Sequence, residues 1–300
     1  MDTLEKLRGK TEGARDLKSV VSAMKAMAGS NIIQYEAAVG SLAGYYHTIA
    51  LGLVGYFRAE KIQTIAAPPP SRTKPSDTIC AIVFGSDQGL VARFNDSMAH
   101  FVSRSLAELP GKKDLWVVGE RVQLLLEDEG FTISRLYTVP NELDAVTPLV
   151  SDLLRQSRER EQAGQVRACY IFHHRPGADS GYAPVMQRFL PLDVQWKNTL
   201  QEIPWPNTLL PQIAGRAAPT LTALIGEYLF TSLFRACVES LASENASRLA
   251  AMQRAENNID GLLESLNQTY HRLRQSTIDE ELFDVISGFE ALKKSPPKEK

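Results

Sequence analysis

Apolar residues recur at steps of three and four over both ends of the chain, and gather in short β-branched runs over its middle. Near the N-terminus Leu4, Leu7, Ala14, Leu17, Val21, Met24 and Ala28 make one stripe, ringed by Glu5, Lys6, Arg8, Glu12, Arg15 and Lys18. Near the C-terminus Val238, Leu241, Met252, Ala255, Ile259, Leu262, Leu266 and Leu273 make another, interrupted by Asn245, Arg248 and Thr269. Such spacing places side chains on one face of a helix and, over several heptads, on a coiled-coil seam. All sixteen prolines lie between Pro68 and Pro219 or at Pro296 and Pro297, so both ends lack the strongest helix breaker. The pattern predicts helix, α/β middle, helix. Gly9, Gly13, Gly29, Gly40 and Gly44 weaken the first helix, and a break is anticipated, if anywhere, near Gly40.

Length sharpens this picture. At 1.5 Å per residue, unbroken helices from Thr3 to Arg58 and from Thr220 to Leu292 rise about 84 Å and about 110 Å, whereas a compact globule of this size has a radius of gyration of about 19 Å. Such helices are expected to leave the globule and to cover their stripes as an antiparallel pair. From a common foot the second outruns the first by roughly 17 residues, about 26 Å. That excess is RLRQSTIDEELFDVISGFEAL, Arg272 to Leu292, whose Ile278, Leu282, Val285, Ile286, Phe289 and Leu292 form a stripe of their own. With no partner in the chain, this stripe calls for an external sleeve.

In the middle, TICAIVF (Thr78 to Phe84), LWVVG (Leu115 to Gly119), FTISRLY (Phe131 to Tyr137), VRACYIF (Val166 to Phe172) and PVMQRFLPLD (Pro184 to Asp193) read as strands. Helical periods separate the early ones, so the sheet is expected to be mainly parallel, with the last strand antiparallel at an edge. The predicted fold is therefore α/β: a long antiparallel coiled coil of N- and C-terminal helices with an inserted Rossmann-like, mainly parallel sheet domain. Its expected divisions are 1–67 for the first helix, 68–77 for a linker and 78–194 for the sheet domain. A connecting segment at 195–219, the second helix at 220–292 and a charged tail at 293–300 follow.

Composition removes several functional classes. The chain has 300 residues, 44% hydrophobic and 23% charged, with a formal net charge of −2, which excludes disorder and the signature of a general nucleic-acid binder. The longest apolar run, Ile49 to Phe57, is too short to cross a bilayer, and the start has no secretory pattern. Cys80, Cys169 and Cys237 form no C-x-x-C pair and sit in apolar runs, as free buried thiols of a reducing compartment do. The turn GSDQGLVARFN follows a strand, yet supplies neither G-x-G-x-x-G nor a loop ending in G-K-S/T, so it reads as a structural turn rather than a phosphate cradle. His173 and His174 have no further ligand at metal-like spacing and read as a surface turn. Ser86 and Asp87 lack a His to complete a nucleophile set. No catalytic centre, cofactor, metal or small-molecule substrate is proposed by these residues.

SAMKAMA (Ser22 to Ala28), VFGSDQGLVARFN, ESLASENASRLAAMQRAENN and RQSTIDEELFDVISGFEAL together resemble the gamma subunit of rotary F-type ATP synthases, over essentially the whole chain. Val91 and Ala92 stand where that family usually has Cys-Gly, Ser22 replaces a usual Lys, and a charged tail follows the tip. With DLKSVVSAMKAMA and IPWPNTLLP, these departures make the chain more similar to the gamma subunit of the divergent, often sodium-translocating, second ATPase of some bacteria.

The resemblance implies a non-catalytic central rotor shaft coupling rotation of a membrane c-ring to ATP synthesis or hydrolysis by alpha and beta subunits. It implies an epsilon-like subunit on the α/β middle and a peripheral place on the cytoplasmic face of the bacterial inner membrane. By motif, Arg274 and Gln275 match a polar catch on beta, Met24 and Lys25 a neck contact with beta, and Trp205 the foot near the membrane ring. Two other classes remain open at this point: a Rossmann-type nucleotide-binding enzyme with dimerising arms, and a self-associating coiled-coil scaffold.

Overall fold

The computed structural model describes residues 3–59, 77–177, 181–206, 208–209, 211–213 and 216–294, with side chains to residue 289. Residues 60–67 of the first-helix segment expected at 1–67, the linker expected at 68–77 apart from Asp77, the tail expected at 293–300 apart from Lys293 and Lys294, and the side chain of Leu292 lie outside the described residues. The first helix, α1, runs from Leu4 to Ala59 and the last, α6, from Ala217 to Lys294. Neither is interrupted, so the break anticipated near Gly40 does not occur. A glycine in a helix costs about 1 kcal/mol relative to alanine, too little to stop a helix of this length. Pro219 lies in the first turn of α6, where no intrahelical amide bond is lost.

By packing, the chain forms two compact units: Ala28–Leu249, and Met1–Met27 with Ala250–Lys300. The larger is built on a five-stranded sheet. Its strands are β1 (Thr78–Phe84), β2 (Lys112–Val118), β3 (Ile133–Tyr137), β4 (Ala168–Pro176) and β5 (Tyr182–Leu190). They lie in the order β3-β2-β1-β4-β5, all parallel except β5, which pairs antiparallel with β4 at one edge. The helices α2 (Phe94–Ala107), α3 (Glu120–Asp128), α4 (Val146–Gln162) and α5 (Val194–Gln201) complete it. Asp193 caps α5 by accepting the Trp196 amide at 3.0 Å, a helix that the hydrophobic pattern does not reveal.

Strand alternation divides the core. Cys80, Ile82 and Phe84 of β1 face one cluster, with Val150 and Leu153 of α4, Leu53 and Phe57 of α1, and Leu233 and Val238 of α6. Ala81 and Val83 face the other, with Met98 and Val102 of α2 and Val122 and Leu126 of α3. Both α1 and α6 contain a stretch apolar enough, by length and composition, to cross a bilayer, with mean hydropathy 1.3. In α1 the residues Leu53, Val54, Tyr56 and Phe57 of the longest apolar run are buried in the sheet core instead. The three thiols are free and buried, and in-register pairing of β1 with β4 sets Cys80 beside Cys169. A hydrogen bond with Cys169, and then burial, hold the Cys80 thiol well above its ordinary pKa, so it is a poor nucleophile.

In the smaller unit the segments of α1 and α6 pack antiparallel. Leu7 and Ala14 are buried, Val21 and Met24 half-buried; facing them, Met252 is buried and Ala255, Ile259, Leu266 and Leu273 half-buried. Leu17 and Leu262, expected in the seam, are instead 60% and 50% exposed. A straight helix drifts by about 20° per heptad against a 3.5-residue seam, which carries such positions to the rim.

Candidate functional site

The crevice beyond the carboxyl ends of β1 and β4, where the strand order reverses, is the usual ligand site of an open α/β sheet. Here it is filled by the protein. β4 continues beyond Phe172 because β5 pairs with it as far as Pro176, and this carries His173 and His174 into the interior. They are 1% and 0% exposed, so the surface turn expected from the sequence is a buried strand end. His173 Nε2 lies 2.9 Å from Glu239 of α6, whose carboxylate also accepts from Arg175 Nε at 3.2 Å and Arg235 Nε at 2.6 Å. Burial pushes the Glu239 pKa up, but hydrogen bonds from His173 and Arg235 and their charges outweigh it and hold the carboxyl at about 2. Burial lowers the His173 pKa despite its carboxylate neighbour. His174 turns to the other face, stacked at 4.2 Å on Phe94 and 3.1 Å from Ser97 Oγ; burial and then the charge of His173 push its pKa down to about 3.

The turn after β1 is equally engaged. The Gly85 amide donates to Val118 O at 2.8 Å, and that of Ser86 to Asn95 Oδ1 at 3.0 Å. Asp87 clamps α3 and the strand β3 exit, accepting Glu120 N at 3.0 Å and Val139 N at 2.8 Å. Ser247 of α6 donates to Val91 O at 2.5 Å and meets Tyr182 OH at 2.9 Å. A Cβ on Gly85 would stand 2.2 Å from a methyl of Val122, so this glycine serves close packing. With its first amides bonded inside the fold, the turn does structural work and does not present a phosphate cradle.

The smaller unit presents different features. Arg8 donates to Tyr270 OH at 2.9 Å, Lys18 pairs with Asp260 at 2.5 Å, and Ser22 donates to Glu256 Oε1 at 2.7 Å. Lys25 bonds the other oxygen of Glu256. The residue numbers of the first three pairs each total 278, so Leu4, the first residue of α1, stands level with Arg274 of α6. Beyond that level α6 continues from Gln275 to Lys294, about 20 residues and roughly 30 Å. On this overhang Ile278 is 52% exposed, Leu282 57%, Phe283 69%, Val285 70% and Ile286 47%. Among the described residues, the stripe predicted to lack a partner in its own chain is exposed at Ile278, Leu282, Val285 and Ile286.

A family model described as ATP synthase matches residues 3–292. The chain belongs to the ATP synthase family. It is 25% identical over 300 residues to the ATP synthase gamma chain of Anaeromyxobacter sp. (strain K), spanning 98% of this chain and all of that one. To the gamma chain of Salinibacter ruber it is 26% identical over 314 residues, spanning 98% and 100%. To that of Glaesserella parasuis serovar 5 it is 29% identical over 223 residues, spanning 70% and 73%. In fold it is similar to a chain of the Euglena gracilis mitochondrial ATP synthase, with a TM-score of 0.61, 17% identity and 99% and 98% of the two chains covered. A chain of the central stalk and c-ring structure of the Tetrahymena thermophila mitochondrial ATP synthase matches with a TM-score of 0.55, 19% identity and coverage of 79% and 99%.

Against this family membership, the residues singled out from the sequence fall in three places. Arg274 and Gln275 are exposed where the overhang begins. Met24 is half-buried in the seam, and Lys25 beside it is bonded to Glu256. Trp205 belongs to the larger unit and is half-buried, its ring about 3 Å from where a Cβ on Gly55 would stand, its Nε1 donating to Leu209 O at 2.9 Å. Asn207, in the same motif, lies outside the described residues. Sequence reasoning passed over Glu256 and Asp260, whose only signal is acidic side chains on α6 at the level of basic ones on α1. It also passed over Glu239, a carboxylate inside an apolar helix face.

Proposed function

We infer that the chain is the gamma subunit of an F-type ATP synthase, the central rotor shaft, and that it performs no catalysis itself. Homology to gamma chains over the full length carries this reading, and the uncovered overhang of α6 fits it: an apolar helix end of this kind requires a sleeve. The sleeve is the ring of alpha and beta subunits, the foot engages a membrane c-ring, and an epsilon-like subunit docks on the sheet domain. The chain is peripheral to the membrane, on its cytoplasmic face in a bacterium.

Its mechanism is differential contact. An asymmetric shaft offers a different face to each beta subunit, and a ligand or partner shifts a conformational equilibrium only by as much as its contacts differ between the states. Arg274 and Gln275 act as a polar catch on beta, Met24 and Lys25 as the neck contact, and Trp205 as part of the foot. The exposure of Arg274 and Gln275 supports the first assignment, since their donors are open to an acceptor on a surrounding subunit. Half-burial of Trp205 leaves only part of its ring for a foot contact.

Co-purification with an alpha and beta ring tests the function directly: the chain is retained by the ring, and failure of the wild-type chain to be retained refutes the reading. Replacing Arg274 and Gln275 together by Ala leaves assembly intact and lowers rotation-coupled turnover at least about tenfold, the loss of one charge-assisted hydrogen bond. Wild-type coupling in the double variant removes the catch role.

A further inference from the structure

In the unit formed by Met1–Met27 and Ala250–Lys300, one acceptor on α6 serves two donors on α1. Glu256 takes the Ser22 hydroxyl on Oε1 and the Lys25 ammonium on Oε2. Ser22 and Lys25 are three residues apart on one helix face, and Met24 lies between them in the same turn. A single ion pair leaves a helix free to roll about its own axis, because a lysine stem adapts. Two donors fixed to the two oxygens of one carboxylate constrain that roll.

The Glu256 side chain is 15% exposed, against 50% for Asp260, which holds Lys18. Its carboxyl is kept below the usual carboxylate range, first by the bond from Lys25 and then by that from Ser22, so the clamp stays ionised at neutral pH.

We propose that Glu256 is the positioning residue of the neck contact, holding the Ser22–Lys25 turn of α1 so that Met24 and Lys25 meet the beta subunit in one orientation. This rests on the reading of Met24 and Lys25 as beta contacts given above. An ammonium has three N–H donors, and Glu256 engages one. The others remain for an acceptor on the partner, so the clamp and the contact operate together. Glu256 orients a cation that would otherwise sample its rotamers freely.

The test uses the assembled complex of this chain with its alpha and beta subunits and membrane ring, and reads the ratio of ATP-driven ion pumping to ATP hydrolysis. Glu256→Gln lowers that ratio about fivefold while hydrolysis persists, the loss expected for one partly enclosed charge pair. Glu256→Asp, which keeps the charge, retains more than half of the ratio. Glu256→Gln added to Lys25→Gln lowers the ratio by clearly less than the two single effects multiplied, because the clamp acts largely through Lys25 and only the Ser22 bond remains to be lost. Wild-type coupling in Glu256→Gln overturns the proposal, as do effects of the two substitutions that multiply, or a lower yield of assembled complex whose ratio is unchanged. In each of those cases a wild-type chain still retained by the ring leaves the rotor reading standing; a wild-type chain that is not retained removes both.

Discussion

Glu239 is the most heavily engaged side chain between α6 and the sheet, and its removal has a calculable cost. Its carboxylate, 3% exposed, serves His173, Arg175 and Arg235. Holding the carboxyl at about 2, against an ordinary 4.5, corresponds to about 3.4 kcal/mol in favour of the charged form. Arg175 and Arg235 are 46% and 39% exposed, so water screens part of this, and about 2–3 kcal/mol is the working figure. Breaking a buried ion pair by deleting one partner typically costs 3–5 kcal/mol. Glu239→Gln keeps the volume and one acceptor, so it falls at the lower end.

All three tryptophans, Trp116, Trp196 and Trp205, lie within Ala28–Leu249, so their fluorescence in urea reports on that unit alone. At pH 7 the variant unfolds with about 2–3 kcal/mol less stability and an unchanged denaturant slope. The sign in acid follows from the lowered pKa: the ionised carboxylate stabilises the fold above pH 4.5, and that contribution is lost as the pH falls toward 2. A loss below about 1 kcal/mol at pH 7 would show the cluster to be solvated and refute the account of why α6 is seated on β4.

Other outcomes follow from single sites. His174 is neutral in the fold down to about pH 3 but protonates near pH 6.5 when unfolded, so its contribution to stability is lost as the pH falls. Between pH 7 and pH 5 the wild type should lose about 2 kcal/mol more than His174→Phe in the same fluorescence assay, whereas parallel pH slopes would contradict the burial argument. Ala92 has a φ of 48° at a position where the resembling family has glycine; Ala92→Gly should raise stability by about 0.5–1 kcal/mol, and a loss would show the turn to be unstrained. Ending the chain after Arg274 removes the overhang and should change the stability of the free protein by less than about 0.5 kcal/mol, while retention by an alpha and beta ring falls at least tenfold. A free protein destabilised by several kcal/mol would mean that the stripe is covered by its own chain.

The helical ends were legible because one physical pattern repeats over many residues. Leu7, Ala14, Val21, Met24 and Ala28 announce a seam, and the absence of proline announces that it is unbroken. The surplus of the second helix, about 17 residues from the sequence and about 20 from the cross-helix pairs, follows from counting. What a repeat does not carry is the local exception. Leu17 and Leu262 have seam spacing and lie outside the seam, because drift between 3.6 and 3.5 residues is invisible in any single heptad. The clamp at Glu256 depends on which acidic residue of one helix stands level with which basic residue of the other, and that register is a tertiary fact.

The histidines mark where reasoning by element failed, and why. VRACYIF ends where its apolar residues end, so the pattern alone places His173 and His174 in the turn beyond. Yet β4 is extended by pairing with β5, and hydrogen bonding to a neighbour continues a strand regardless of side-chain polarity. Once inside, two imidazoles need partners, and α6 supplies Glu239 while α2 supplies Ser97 and the ring of Phe94. The same packing bears on the functional question. In an α/β enzyme the crevice beyond β1 and β4 holds the ligand; in this chain Glu239 and Ser247 hold that ground, Asn95 binds the turn that would have cradled it, and Asp87 within that turn ties it to α3 and the end of β3. A Rossmann-like sheet has been turned from a binding platform into a mount for a helix, consistent with a subunit whose task is mechanical.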